Sequence, residues 1–290
     1  MSPRLRRNPV VRRLLAGPIH ARRWWLERDK RAFLRAYERQ MALIEGGYLD
    51  IRVPNLEGVF RIDARSTNAR RILREHFYEP HITTAFEQCL DPNRDVIDVG
   101  ANVGFLAVFA AKRLKPGRRL LAVEPTPRAN ELLRHNVEAN GMSERVEYFD
   151  GVVSDETDRR RMLVFIEGKE EYSSLEGIVH DAVAGLQRRK IEVPETTIDD
   201  LVQQRSLTPG LIKIDTEGHE AAVLAGAAKT LENHHPALIM ELDDAMLQSS
   251  GKSARGLAAE LEALGYTVEP VGEPGQPIPA GFTGEVIARP

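Results

Sequence analysis

The stretch DVIDVGANVGF, residues 95–105, is an apolar run that carries an aspartate at 98 and breaks at two glycines, 100 and 104. A run of this length and composition reads as a buried strand, and the glycines end it in a turn. VGFLAVFAAKRL (103–114) then continues with the apolar density of a covered helix. The spacing Asp98-x-Gly100-x-x-x-Gly104 predicts a chain that leaves a strand, turns, and enters a helix whose free backbone N–H groups point at a ligand. Gly100 is expected to permit the turn, and Gly104 to let the backbone approach that ligand. Asn102 occupies the place of the second glycine in the dinucleotide fingerprint G-x-G-x-x-G, which argues against a pyrophosphate. The alternative is a plain tight turn with no ligand.

Outward from this turn, short apolar runs alternate with helical stretches. DVIDVG (95–100), RLLAVE (119–124), RVEYFD (145–150), LIKID (211–215) and ALIMEL (237–242) read as strands. PRANELLRHNVEAN (127–140) and EAAVLAGAAKTLEN (220–233) join the helix already named. Apolar strands separated by helices predict an α/β fold, a doubly wound Rossmann-like parallel sheet covered on both faces. Such sheets bind ligands beyond the carboxyl ends of their strands. Glu124, at the tip of the second strand, has the place of an acidic residue that accepts hydrogen bonds from both ribose hydroxyls, so an adenosine ligand is expected. Thr126-Pro127 reads as an N-cap and first helical residue.

These residues resemble the S-adenosylmethionine-dependent methyltransferases. The combination of DVGANVG (98–104 within it), EP (124–125), VPETTIDDLV (193–202) and LIKIDTEGHEAAVLAGAAKTLENHHPALIMEL (211–242) is similar to the FkbM family of that class, over about residues 78–242. The resemblance implies S-adenosylmethionine as donor and O-methyl transfer to a hydroxyl of a sugar, glycolipid or secondary metabolite. It carries the cofactor contacts over to Asp98, Gly100, Asn102 and Gly104 in the loop and Glu124 on the ribose. Asp150 or Ser154 falls near the adenine by the general plan of these enzymes. The family often has Asn-Ala before V-S-D where this chain reads Asp150-Gly151-Val152. The terminal strands YTVEPV (266–271) and GEVIAR (284–289) fit the antiparallel edge of a methyltransferase sheet.

The chemistry should lie on the fourth strand. Lys213 and Asp215 share one face of a strand that has no wet side, so the lysine needs a carboxylate partner, and Asp98 or Glu241 is expected to supply it. A structural ion pair and a substrate-site role both remain open for Lys213. Methyl transfer to a hydroxyl needs the acceptor aligned and its proton removed, and Asp215, Glu217 and His219 stand at the carboxyl end where a base belongs. The bland alternative makes Asp215 or Thr216 the cap of the next helix. Asp215, Glu241 and Asp243 also suit a divalent metal as oxygen ligands, but no metal motif accompanies them, and none is assigned. RMLVFIEGKEEYSSLEG (161–177) begins an insertion, with Tyr172, Ser173 and Ser174 in a loop that should overhang the active face.

Charge divides the chain: residues 1–40 hold 12 Lys/Arg against 3 Asp/Glu, a net +9, while the remainder carries −12. The arm is expected to form one amphipathic helix with apolar residues at 26, 33, 34, 37, 41 and 44, ended by Gly46 and Gly47. The expected division is a basic arm and cap over 1–80 and a methyltransferase domain over 81–290. The arm's basic side is read as a solvated face, a surface for anionic lipid, or a transit peptide, with Trp24 and Trp25 as interfacial anchors in the second case. The single Cys89 points to a reducing compartment, hence the cytoplasm. A homodimer is compatible with the arm. The competing functions are an RNA or protein methyltransferase using the basic arm, disfavoured for nucleic acid by the acidic body, and a non-catalytic cofactor-binding module.

Overall fold

A computed structural model describes residues 47–175 and 186–290. The chain divides into two compact units, Met1–Gly47 and Tyr48–Pro290. The helix expected in the arm and its paired tryptophans lie outside the described residues, so the account below concerns the second unit.

That unit is built on a seven-stranded sheet. Its strands are β3 (Asp95–Val99), β4 (Leu120–Val123), β5 (Val146–Phe149), β9 (Pro209–Ile214), β10 (Ala237–Asp243), β11 (Thr267–Pro270) and β12 (Thr283–Arg289). The order is β11-β12-β10-β9-β3-β4-β5. β3 pairs in parallel with β4 and β9, β9 with β10, and β4 with β5, while β12 runs antiparallel to both β10 and β11. The reversed strand thus lies one place in from the margin, because the chain turns back after β11 and inserts β12 beside β10.

The central strands are apolar throughout because both faces are covered. Along β3, Val96 packs into the core under α3 (Phe105–Arg113) and α4 (Pro127–Ala139), whereas Ile97 and Val99 pack into the opposite core. α5 (Ile198–Arg205), α6 (Glu220–Ala225), α7 (Ala228–His234) and α9 (Ala254–Ala263) cover that second face; α8 (Asp244–Leu247) is a single turn capped by Asp243. Leu120, Leu121, Leu211 and Ile212 are fully buried, and each such side chain stabilises the fold by roughly 1.5–3 kcal/mol.

Residues 48–80 belong to this unit. The hairpin of β1 (Tyr48–Val53) and β2 (Gly58–Asp63) sends Val53, Leu56, Phe60 and Ile62 into the core beneath α3, with the Phe60 and Phe105 ring centroids 4.9 Å apart. Asn136 of α4 clamps it, its amide bonding the backbone N–H and C=O of Arg61 and the carbonyl of Val103. The boundary expected at 80/81 therefore runs through a continuous apolar core, and the compact unit begins at Tyr48. Next come α1 (Thr67–Glu75), whose N-terminus Ser66 caps through its hydroxyl to Ala69 N at 3.0 Å, and α2 (Pro80–Cys89). The insertion after β5 forms a second sheet of β6 (Val152–Val153), β8 (Arg189–Thr196) and β7 (Arg159–Phe165), in that order. No helix among the described residues is long and apolar enough to cross a membrane.

Candidate active site

The carboxyl ends of β3, β4, β9 and β10 open into a cavity of about 410 Å³, and α1 and residues 170–173 of the insertion form its other walls. A smaller apolar slot of about 60 Å³ adjoins it over Val152, Val153 and Leu163. Gly100, Glu124 and Ser173 line both spaces.

The two glycines answer to different neighbours. At Gly100, φ is +75° and a Cβ would lie 2.0 Å from the carbonyl oxygen of Asp215. At Gly104, φ is +85° and a Cβ would lie 2.5 Å from Leu133 Cδ1. Close approach at Gly104 is therefore to α4, in place of the ligand approach expected of it. The loop amides are also spent internally: Gly100 N and Ala101 N bond Val123 O, each at 3.0 Å, and Gly104 N bonds Ala101 O at 2.9 Å. Asn102 N reaches Glu124 Oε2 at 2.8 Å, and Val103 N reaches Asn102 Oδ1 at 2.7 Å. The turn's own N–H groups are thus spent within the protein, whereas the free N–H groups expected of the helix belong to its first turn, where Phe105 and Leu106 line the cavity.

Glu124 is buried, and its oxygens already accept three bonds, from Asn102 N, Thr126 N and Thr126 Oγ1. Burial raises its carboxyl above the usual range, and those donors oppose the rise. A carboxylate has about four lone-pair sites, so one remains for a ribose hydroxyl unless Thr126 rotates away. Thr126 is the N-cap residue of α4 and Pro127 its first residue, as expected, but the threonine hydroxyl is spent on Glu124 and makes no cap bond. Asp98, 1% exposed, has no hydrogen bond on either oxygen and faces the cavity. Burial pushes its carboxyl upward against the pull of Lys213.

The parallel register sets Asp98 opposite Lys213. Lys213 Nζ lies 3.1 Å from Asp215 Oδ2 and 3.6 Å from Asp98 Oδ1, and it donates to Gly100 O at 2.8 Å and Val99 O at 3.3 Å. Of the two partners expected, Asp98 is present; Asp215, the first residue beyond the end of β9, takes the place expected of Glu241. Burial works against the ammonium's charge, but Asp215 and Asp98 outweigh it and hold the group above its ordinary range.

Glu217 faces the same cavity from a left-handed backbone, φ +53°. Burial, then the charges of Asp215 and Glu220, push its carboxyl up to about 8. Glu241, at the rim of the cavity, is also raised, chiefly by the charge of Asp215. Neither Asp215 nor Thr216 caps α6: His219 is its N-cap residue, without a side-chain cap bond, and Thr216 donates through its N–H and hydroxyl to Glu220. His219 lies on the apolar slot, apart from Asp215 and Glu217.

Asp150 and Ser154, the residues that the resemblance puts near the adenine, make other contacts in this structure. Asp150 is exposed and held by Asn130 and Arg134, while Ser154 is buried in a bond to Glu195 at 2.7 Å. Neither lines the slot, whose floor comes from Gly151, Val152 and Val153 between them. Asp215, Glu241 and Asp243 do share the large cavity, but among the described residues no group of three or more His, Cys, Asp or Glu is placed to hold a metal ion.

Residues 98–268 match the family model described as the Methyltransferase FkbM domain. The chain belongs to the FkbM methyltransferase family. No curated protein matches it. Among solved structures, it is similar to an FkbM methyltransferase from Methylobacillus flagellatus, at 15% identity and TM-score 0.45 over 69% of this chain. It spans 44% of that protein's length. It is also similar to an O-methyltransferase from Bacillus cereus solved with SAH, at 15% identity and TM-score 0.42 over 77% of this chain and 86% of that one. The O-methyltransferase TomG from Streptomyces achromogenes, solved with SAM, gives 11% identity and TM-score 0.43 over 88% and 95%.

The two adjoining spaces of this FkbM methyltransferase fit S-adenosylmethionine, the donor the resemblance implies. Asp98 has buried oxygens awaiting donors, Glu124 has an acceptor site left, and the slot beside it is apolar. Sequence reasoning missed the wall contributed by α1 and the turn after it, notably Arg71, Tyr78 and Glu79. Arg71 is one arginine among three in TNARRILRE, and only the fold shows which of them faces inward.

Proposed function

We propose that the chain is an S-adenosylmethionine-dependent O-methyltransferase acting on a hydroxyl of a sugar, glycolipid or secondary metabolite. The observation that carries this reading is Glu217, a carboxyl raised to about 8 in a cavity that opens from the glycine turn. The cofactor supplies a methyl group already activated on a sulfonium. The chain has to align the acceptor and take its proton. Glu217, once ionised, accepts that proton; Asp215, fixed by Lys213, keeps the carboxyl basic. Glu124 offers its open acceptor site to the ribose, and the slot over Val152 takes the adenine.

Isothermal titration tests the cofactor: S-adenosylmethionine binds the wild type, and Glu124→Ala loses that binding. Binding of NAD in its place defeats the reading. Mass spectrometry of metabolites from a deletion strain then identifies the acceptor, where loss of an O-methylated product is expected.

A further inference from the structure

The large cavity is lined by ten carboxylate residues and two cationic ones, Arg71 and Lys213. This imbalance creates a difficulty for any amino-acid ligand, because an α-carboxylate brought among these side chains meets like charge. The amides of residues 100–104 do not relieve it, all being engaged within the protein, and those that begin α3 at Phe105 carry no full charge to offset the acids. Lys213 does not relieve it either, since its three N–H donors face four protein oxygens, two of them on Asp98 and Asp215.

Arg71 differs. One of its terminal nitrogens, Nη2, bonds Glu79 and, at 3.3 Å, Asn68, and the guanidinium carbon lies 5.7 Å from the centre of the Tyr78 ring. Its Nε is buried with no hydrogen-bond partner. A guanidinium that is engaged at Nη2 and keeps Nε unpartnered retains charge-assisted donor capacity for a carboxylate. The other side chains on this wall that could donate, such as Asn68 and Ser173, carry no charge to offset the acids.

We propose that Arg71 binds the α-carboxylate of the methionyl end of the cofactor, which makes the segment before α2 part of the cofactor site. The inference rests on the cofactor named above. It assigns to Arg71 a positioning role: holding the amino-acid end of the cofactor sets how far the sulfonium projects toward the acceptor.

Calorimetric titration of the full chain separates the two readings. S-adenosylhomocysteine carries the carboxylate, and 5′-methylthioadenosine lacks the whole amino-acid end. Arg71→Met should weaken S-adenosylhomocysteine binding roughly tenfold or more, the loss expected for a charge-assisted bond, and leave 5′-methylthioadenosine binding unchanged. Arg71→Lys should restore part of the loss. The wild type itself should bind decarboxylated S-adenosylmethionine more weakly than S-adenosylmethionine by a similar factor, a comparison that does not depend on the variant folding. Equal binding of those two donors by the wild type overturns the assignment, as does an equal loss of both adenosine ligands in a variant that melts like wild type. If the wild type binds neither adenosine ligand, the cofactor reading falls and this inference with it.

Discussion

Glu217 carries two unfavourable features at once, a left-handed backbone in a residue with a Cβ and a half-buried carboxyl among other acids. A non-glycine residue in that region costs on the order of 1 kcal/mol or more and persists where the surroundings enforce it. As a base, it must be ionised, and with its carboxyl raised to about 8 the fraction ionised climbs as pH rises through that value. The expected pH profile of kcat/KM therefore rises toward a plateau above about 8, and Glu217→Gln should flatten it and lower the rate by about 10²–10⁴. Stability has the opposite sign. The folded state binds the proton more tightly than the unfolded chain, so this residue's contribution is fully favourable below its ordinary value of 4.5 and is lost as pH rises toward 8. Glu217→Gly, which also relieves the backbone, should raise the thermal midpoint, and by more at pH 9 than at pH 5; an equal or negative change at pH 9 would refute this. Of these residues, the Asp98–Lys213 pairing was legible in the sequence, because a lysine inside a covered parallel strand must have a carboxylate neighbour. That Asp215 would bind the same ammonium more closely was not, since two residues on one strand face meet only if the lysine curls along the strand. That Gly151, Val152 and Val153 would line the slot was not legible for a related reason: Asp150 and Ser154 are the polar residues of their segment and drew the reading to themselves.

At the scale of elements, the turn from β3 into α3 is shaped by its packing partners. Gly100 is pressed by the Asp215 backbone and Gly104 by the end of a leucine side chain. Backbone cannot step aside as a methyl group can, so Gly100→Ala should cost about 3 kcal/mol or more and Gly104→Ala distinctly less, read from urea denaturation. The sequence made strand, turn and helix legible through its apolar period and its glycines. It could not show that the turn's N–H groups are consumed, because that depends on Val123 and Glu124 arriving from the neighbouring strand. α1 was harder still. Its stretch is polar and arginine-rich, with the look of a solvated helix, and its role comes from where Ser66 starts it and which face the hairpin turns toward the cavity.

At the scale of the molecule, the apolar core under α3 joins the hairpin of β1 and β2 to the large sheet. A chain beginning at residue 81 loses Val53, Leu56, Phe60 and Ile62, all at most 1% exposed, and uncovers the face of α3. It should lack a cooperative thermal transition by circular dichroism, whereas a chain beginning at residue 48 should melt cooperatively. The five-strand parallel core was readable from alternating apolar runs, but the hairpin's allegiance was not, since short alternating strands carry no mark of the surface they will cover. The margins of the sheet have a further consequence. Its outermost strands, β5 and β11, are four residues each, and β11 ends in Pro270, which has no N–H to offer. The large sheet's ladder thus presents a neighbouring molecule with little unpaired backbone to add to, which guards that sheet against polymerising edge to edge as the concentration rises.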